Sequence, residues 1–139
     1  MLAPVRAVVR FMRTLDRAHL RGVFAGRAVT IVENFAPYVF SGAGAVRRWT
    51  DGCTEHARDL RGLRATFGAP QEYQSDGRSA YFVLPTTWRG RSAGGAFVEH
   101  GAWSFVLRRS PSGWRVAAYA WGVTRYSSST GRGSGGSPA

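Results

Sequence analysis

The apolar positions of this chain change period partway along it. From Val5 to Arg17 they recur at helical spacing: Val5, Val8, Val9, Met12 and Leu15 form one stripe with Phe11 at its edge, and Arg6, Arg10, Arg13 and Arg17 occupy the other face. Pro4 suits the first turn of that helix. A short second helix is expected from His19 to Ala25, with Leu20, Val23 and Phe24 inward and Gly26 as its stop. Ala28 to Glu33 is rich in β-branched residues and reads as a strand. Asn34 to Gly42 is irregular, with Tyr38-Val39-Phe40 as a short strand. Ala43 to Leu60 returns to helical spacing, with Val46, Trp49, Cys53, His56 and Leu60 on one stripe and Gly52 as a weak point.

After Gly62 the period becomes two. Leu63 to Tyr73 is expected as a strand broken near Gly68 and Pro70, Ser75 to Arg78 as a tight Asp-Gly turn, Ser79 to Arg89 as a strand, and Gly90 to Gly95 as a mobile turn. Two long runs follow, Ala96 to Leu107 and Trp114 to Val123, joined through Ser110-Pro111-Ser112-Gly113, where Pro presets a turn and Gly tolerates positive φ. Phe97, Trp103 and Phe105 on the first run, and Tyr119 and Trp121 on the second, fall on one face at period two. Helices first and an antiparallel meander afterwards predict an α+β fold, helices packed on one sheet face. Residues 1–126 form one domain in this reading, and the Ser/Gly-rich 127–139 a flexible tail.

Composition changes this picture little. The net charge of +11 comes from 19 basic residues, all arginine and spread over the chain, with no nucleic-acid-binding motif among them. This reads as general surface charge, with no specific nucleic-acid site. No run is long enough to span a bilayer, and the arginines near the N-terminus interrupt any signal-peptide core. Cys53 is the only cysteine, so no internal disulfide can form, and a cytoplasmic protein is expected. Metal-ligand spacings, a phosphate-binding glycine loop and a nucleophile elbow are all missing from the sequence, so neither a metal nor a cofactor is expected.

A few short motifs, taken in order, carry a resemblance. They are the N-terminal helix pair with its Leu/Val/Phe stripe, Val29-Thr30-Ile31-Val32-Glu33-Asn34, Gly42 followed by Ala45-Val46 and Trp49, and Gly113-Trp114-Arg115-Val116 through Tyr119-Ala120-Trp121. Over residues 5–124 the chain resembles the SnoaL-like branch of the nuclear transport factor 2-like superfamily. The resemblance implies a cone-shaped, curved antiparallel sheet wrapped around the helices, a cystatin-like α+β barrel with an apolar pocket at its mouth. That family includes ketosteroid isomerase, polyketide cyclases, dehydratases and epoxide hydrolases, as well as non-catalytic modules, so the fold does not choose among them. At the positions matching the isomerase's base, oxyanion tyrosine and protonated aspartate, this chain has Asn34, Phe11 and the segment Trp103-Ser104-Phe105. Steroid-type isomerisation by that mechanism is therefore not expected.

Other polar groups are candidates. Glu99 shares the parity of Phe97 and Trp103; it either enters an aromatic pocket, where burial raises its pKa, or frays into water beside Gly94-Gly95. His56 is a pocket acid/base or an ordinary rim histidine. Tyr38 falls at the pocket mouth that the resemblance implies, as a donor or as a plug. Glu33 neighbours Asn34 and would point to the opposite face, unless a strand end reverses it. The expected catalytic set is Glu99, His56, Tyr38 and Asn34, with Phe11, Trp49, Trp88, Trp103, Phe105, Tyr119 and Trp121 as ligand walls. Two functions remain open: a cofactor-independent acid/base enzyme acting on a polyketide-, steroid- or terpenoid-like molecule, or a non-catalytic binding or assembly module. In either case a homodimer is expected, paired through an outer sheet face carrying His100, Ala102, Ser104 and Val106.

Overall fold

The computed structural model describes residues 1–129. It contains helix α1 (Ala3–Thr14), one 3-10 turn (Arg17–Leu20), strands β1 (Thr30–Val32) and β2 (Val39–Ser41), helix α2 (Ala45–His56), and strands β3 (Arg61–Phe67), β4 (Gln71–Ser75), β5 (Ser79–Ser92), β6 (Gly95–Ser110) and β7 (Gly113–Ser128). The seven strands make one curved, unclosed sheet in the order β2-β1-β7-β6-β5-β3, with β4 also paired to β5. The α+β class follows. One pairing departs from the expected antiparallel meander: β1 runs parallel to β7, with Ile31 opposite Tyr119.

The helices form for the reasons the pattern gives, within tighter limits. On α1 the buried residues are Pro4, Val5, Val8, Val9 and Phe11. Phe11 belongs to the core and packs on Trp49 at 5.2 Å between ring centroids. The helix stops at Leu15, which adopts a left-handed φ of 59° and donates its N–H to the Phe11 carbonyl at 2.6 Å. The second helix expected over His19–Ala25 does not form. Asp16 Oδ1 accepts from the Ala18 N–H at 2.9 Å and caps a single 3-10 turn. The chain then joins the sheet: Val116 N donates to Val23 O at 2.7 Å, and Ala25 N donates to Val116 O at 2.8 Å. Arg17 pairs with Asp51 and ties this segment to α2. Gly52 is a contact point on α2: a Cβ there would lie 2.9 Å from the Phe35 ring, so its absence lets the β1–β2 connection close on the helix.

The strands run longer than their sequence pattern. β5 continues to Ser92 and β6 begins at Gly95, so the mobile turn expected over Gly90–Gly95 shrinks to two residues. Gly90 pairs with Phe97, and a Cβ at Gly90 would meet that ring at 3.0 Å. β7 continues through Ser127 and Ser128, which pair with Val98 and Phe97, so the tail does not start at 127; the rest of that expected tail, from Thr130, lies outside the described residues. The core fills the concave side. Val5, Val8, Phe11 and Trp49 from the helices meet Phe82, Leu84, Trp103, Phe105, Leu107 and Val116 from the sheet. No helix among the described residues is long and apolar enough to cross a membrane.

Candidate active site

At one end of this core the packing opens into a cavity of about 230 Å³. Helix α2 contributes Cys53 and His56, and α1 with its cap contributes Met12 and Leu15. Glu33 and Asn34 enter from the end of β1, and the sheet supplies Trp88, Phe97, Glu99, Trp103, Trp121 and Tyr126. Two of the chain's eight carboxylates thus face one aromatic space.

Glu33 is the more deeply placed, only 5% exposed. The strand alternation carries it there: Val29 and Ile31 are buried, and Glu33 follows two residues on, on the same face. Its Oε1 accepts from Trp49 Nε1 at 3.0 Å and from the Tyr119 hydroxyl, while Oε2 has no protein partner among the described residues. Burial pushes its pKa from an ordinary 4.5 up to about 7. The two hydrogen bonds oppose that rise, and the charge of Glu99 adds to it. The same burial lifts the Tyr119 hydroxyl well above its usual range and makes Cys53 a poorer thiolate.

Glu99 is half-buried and accepts from Trp121 Nε1 at 3.1 Å. Burial raises its pKa too, against that hydrogen bond. Gly101, two residues on, makes this contact possible. A Cβ there would fall 2.7 Å from the Trp121 ring and 2.3 Å from the Gly122 carbonyl, so only glycine lets the indole lie across β6. His56 stands at the rim, stacked on Phe35 with ring centroids 4.7 Å apart. Its desolvation lowers the imidazole pKa, which favours the neutral ring near pH 7.

The other expected residues divide. Asn34 is exposed at the cavity edge. Tyr38 is outside the cavity and 58% exposed, because the chain reverses at Ala36-Pro37 and Tyr38 takes a φ of 71°. Trp88, Trp103 and Trp121 line the space, whereas Phe11, Trp49, Phe105 and Tyr119 are packed behind it. Trp49 and Tyr119 touch the site through their hydrogen bonds to Glu33 rather than as walls. Glu33, expected on the face opposite Asn34, is the carboxylate that enters the cavity, while Asn34 stays at its exposed edge. The Val29-Ile31-Glu33 alternation was the available signal. No group of three or more His, Cys, Asp or Glu residues that could hold a metal occurs among the described residues.

Neither a protein-family model nor a curated protein sequence matches the chain. Solved structures do match it in shape. A nuclear transport factor 2-like superfamily protein from Salmonella enterica superposes with a TM-score of 0.71 at 13% identity, covering 94% of this chain and 92% of its own. The chain has the nuclear transport factor 2-like fold. Within that fold, a type 2 hexachlorocyclohexane dehydrochlorinase matches with a TM-score of 0.69 at 7% identity, over 90% of this chain and 83% of the other. The CaMKII hub of S. rosetta matches with a TM-score of 0.68 at 13% identity, over 88% and 93%. At such identities the nuclear transport factor 2-like fold is what is shared, and the cavity's own residues must carry any functional reading.

Proposed function

We propose that the protein is a cofactor-independent acid/base enzyme acting on a small apolar cyclic molecule. The observation that carries this is Glu33: a carboxyl group in an aromatic cavity with a pKa of about 7, beside a second carboxylate whose pKa is also raised. A group poised near neutrality both takes and returns protons efficiently. Perturbed acids gathered in one apolar pocket are the common mark of such sites.

In this reading Glu33, held through Oε1 by Trp49 and Tyr119, offers its free Oε2 to a proton on a substrate carbon. Glu99 in its protonated form gives a proton to the departing oxygen, or back to carbon. His56 at the rim exchanges protons with solvent. Proton removal followed by loss of a leaving group is elimination or dehydration; proton removal and return at another carbon is isomerisation. Cyclisation uses the same two transfers. The cavity, at about 230 Å³, falls below the 300–1,000 Å³ usual for drug-sized ligands. It favours a one- or two-ring compound over a steroid.

The test is a panel of one- and two-ring ketones, β-hydroxyketones and alkyl chlorides incubated in deuterated water, with deuterium uptake and elimination read by NMR. The expected result is turnover of at least one member that falls about 10²–10⁴-fold in Glu33→Gln. If no member reacts, or the variant reacts as fast as the parent, the enzyme reading is wrong.

A second reading, an assembly module, is favoured by one observation. The outer sheet face carries small, half-buried residues, Ala102, Ser104, Ala118 and Ala120, beside exposed Tyr81. Such a face suits a second copy of the chain, and the homodimer belongs here as a proposal. Sedimentation equilibrium decides it: a monomer at all concentrations contradicts the dimer, and Ala120→Arg is expected to dissociate one.

A further inference from the structure

The cavity gathers negative charge without a counter-charge. Glu33 and Glu99 line it, and none of the chain's 19 arginines does. His56 at the rim favours its neutral form near pH 7, because desolvation lowers its pKa. Each carboxylate also keeps one oxygen in reserve. Oε1 of Glu33 is taken by Trp49 and Tyr119, and Oε1 of Glu99 by Trp121, while neither Oε2 has a protein partner among the described residues. The fully buried side-chain polar atoms left unpartnered among the described residues are Trp103 Nε1 and Arg115 Nε. Oε2 of Glu33 is not one of them, although Glu33 is only 5% exposed. That oxygen and Oε2 of the half-buried Glu99 therefore keep open surface, and the cavity is what both side chains line.

A carboxylate in an apolar site is neutralised either by a proton or by a cation. The free protein uses the proton, which burial holds on Glu33 up to a pH of about 7. The walls suit the cation as well. They include Trp88, Phe97, Trp121 and Tyr126, with the Phe97 and Tyr126 rings stacked at 5.9 Å. Aromatic rings attract a cation through their π faces, most strongly where water is excluded. A metal ion is not served by this set, since no group of three or more His, Cys, Asp or Glu residues that could hold one occurs among the described residues. An organic cation asks for less: apolar walls for its carbon skeleton and an anionic acceptor for its N–H.

We propose that the cavity takes a small organic cation, a one- or two-ring compound carrying a protonated amine whose N–H donates to an unpaired oxygen of Glu33 or Glu99 between aromatic walls. This rests on reading the cavity as a ligand site, and not on any one reaction there; it deepens that reading by naming the charge that the ligand carries. A neutral ring fills the same space but leaves both Oε2 atoms unanswered. An anionic ring meets two carboxylates and no guanidinium.

Binding of three matched probes at pH 8 tests this without any need for turnover. They are tetrahydroisoquinoline, which is protonated at that pH; tetralin, the same two-ring skeleton with carbon in place of the charged nitrogen; and β-tetralone, which is polar but neutral. The wild-type protein is expected to bind the amine about 10–100-fold more tightly than tetralin, the usual size of one buried charged hydrogen bond, although tetralin is the more apolar of the two. That preference should shrink in Glu99→Gln and in Glu33→Gln, which keep the shape of each side chain and remove its charge. A second readout stays in the wild-type protein. The carboxyl-carbon titration midpoint of Glu33, about 7 in the free protein, should fall when the cavity is saturated with the amine and not when it is saturated with tetralin, because a nearby cation favours the ionised form. Equal binding of amine and tetralin by the wild type overturns the inference while leaving the cavity a ligand site. So does tighter binding of β-tetralone than of the amine, an amine preference that survives undiminished in both variants, or a Glu33 midpoint that the amine does not move. If none of the probes binds, both the inference and the ligand-site reading fall.

Discussion

One strand, β6, passes through two different environments. Its inner face presents Phe97, Glu99 and Trp103 toward one end, and Phe105 and Leu107 toward the other. At the Phe105 end, α1 and the start of α2 close over the sheet, and the side chains there are sealed. At the Glu99 end α1 has already terminated at Leu15 and α2 is near its last turn, so the same face opens into the cavity. The difference teaches that the strand's alternation decides which way a side chain points, while helix length decides whether it becomes core or site. Both buried-side carboxylates sit at the open end. At the sealed end an unpaired carboxylate would cost several kcal/mol.

The comparison can be broken by exchanging what the two ends do. The largest effect is expected at the open end, where Glu33→Gln removes the proton-accepting group and lowers turnover about 10²–10⁴-fold, read as kcat on whichever panel member reacts. Glu99→Gln is expected to act in the same direction, by loss of the acid. The next effect belongs to the sealed end. Phe105→Ala should destabilise the protein by about 3–5 kcal/mol through the cavity it leaves, measured by denaturant unfolding. Ligand affinity per folded molecule should not change, because Phe105 does not line the open cavity.

Glu33 also links the open end to stability. Its folded-state pKa of about 7 lies above its ordinary value of 4.5. Between those values the folded protein keeps a proton that the unfolded chain has lost, so unfolding releases it. The stability that this group contributes is fully present below pH 4.5 and is lost as pH rises through 7. Glu33→Gln keeps an acceptor for Trp49 and Tyr119 but has no proton to lose. It should unfold at a higher temperature than the parent at pH 8, by up to about 3 kcal/mol of stability, and at nearly the same temperature at pH 4. A parent and variant with parallel pH profiles would contradict the shift.

Smaller effects sharpen the boundary between the ends. Gly101→Ala forces a Cβ against the Gly122 carbonyl and the Trp121 ring. It should cost about 1–3 kcal/mol and detach the Trp121 indole from Glu99, visible as a changed indole NMR signal. Tyr38→Phe should be the mildest, within about 0.5 kcal/mol in stability and without effect on turnover, since Tyr38 faces solvent away from the cavity.

Much of this fold was legible in the residue pattern because its signals are local. The aromatic alternation along β6 and β7 needs only period two, and the α2 stripe through Trp49, Cys53 and His56 only helical spacing. What failed depended on distant partners. His19 to Ala25 has a helical pattern, but Val116 offers its backbone and draws the segment to the sheet edge. The β1–β7 pairing is parallel because β1 enters beside a strand about ninety residues away, which no local period records. For the site, Glu99 was placed on the right face by parity, and the choice between pocket and solvent depended on Gly101 and Trp121. Glu33 was expected on the face opposite Asn34, whereas the alternation through Val29 and Ile31 carries Glu33 inward past the strand end at Val32. Tyr38 was misdirected by the turn after Pro37 that swings it out to solvent. Phe11, Trp49, Phe105 and Tyr119 have the composition of ligand walls, but depth within the cone, set by where the helices end, makes them core.

The measurement that bears most directly on the account is an NMR titration of the glutamate side-chain carboxyl carbons, with Glu33 assigned by the loss of its signal in Glu33→Gln. The account predicts a midpoint near 7 for Glu33, with a smaller echo of the same step at Glu99 because the two charges interact. A Glu33 midpoint at its ordinary 4.5 would contradict it, since the carboxyl group would then be solvated and no poised acid/base would occupy the cavity.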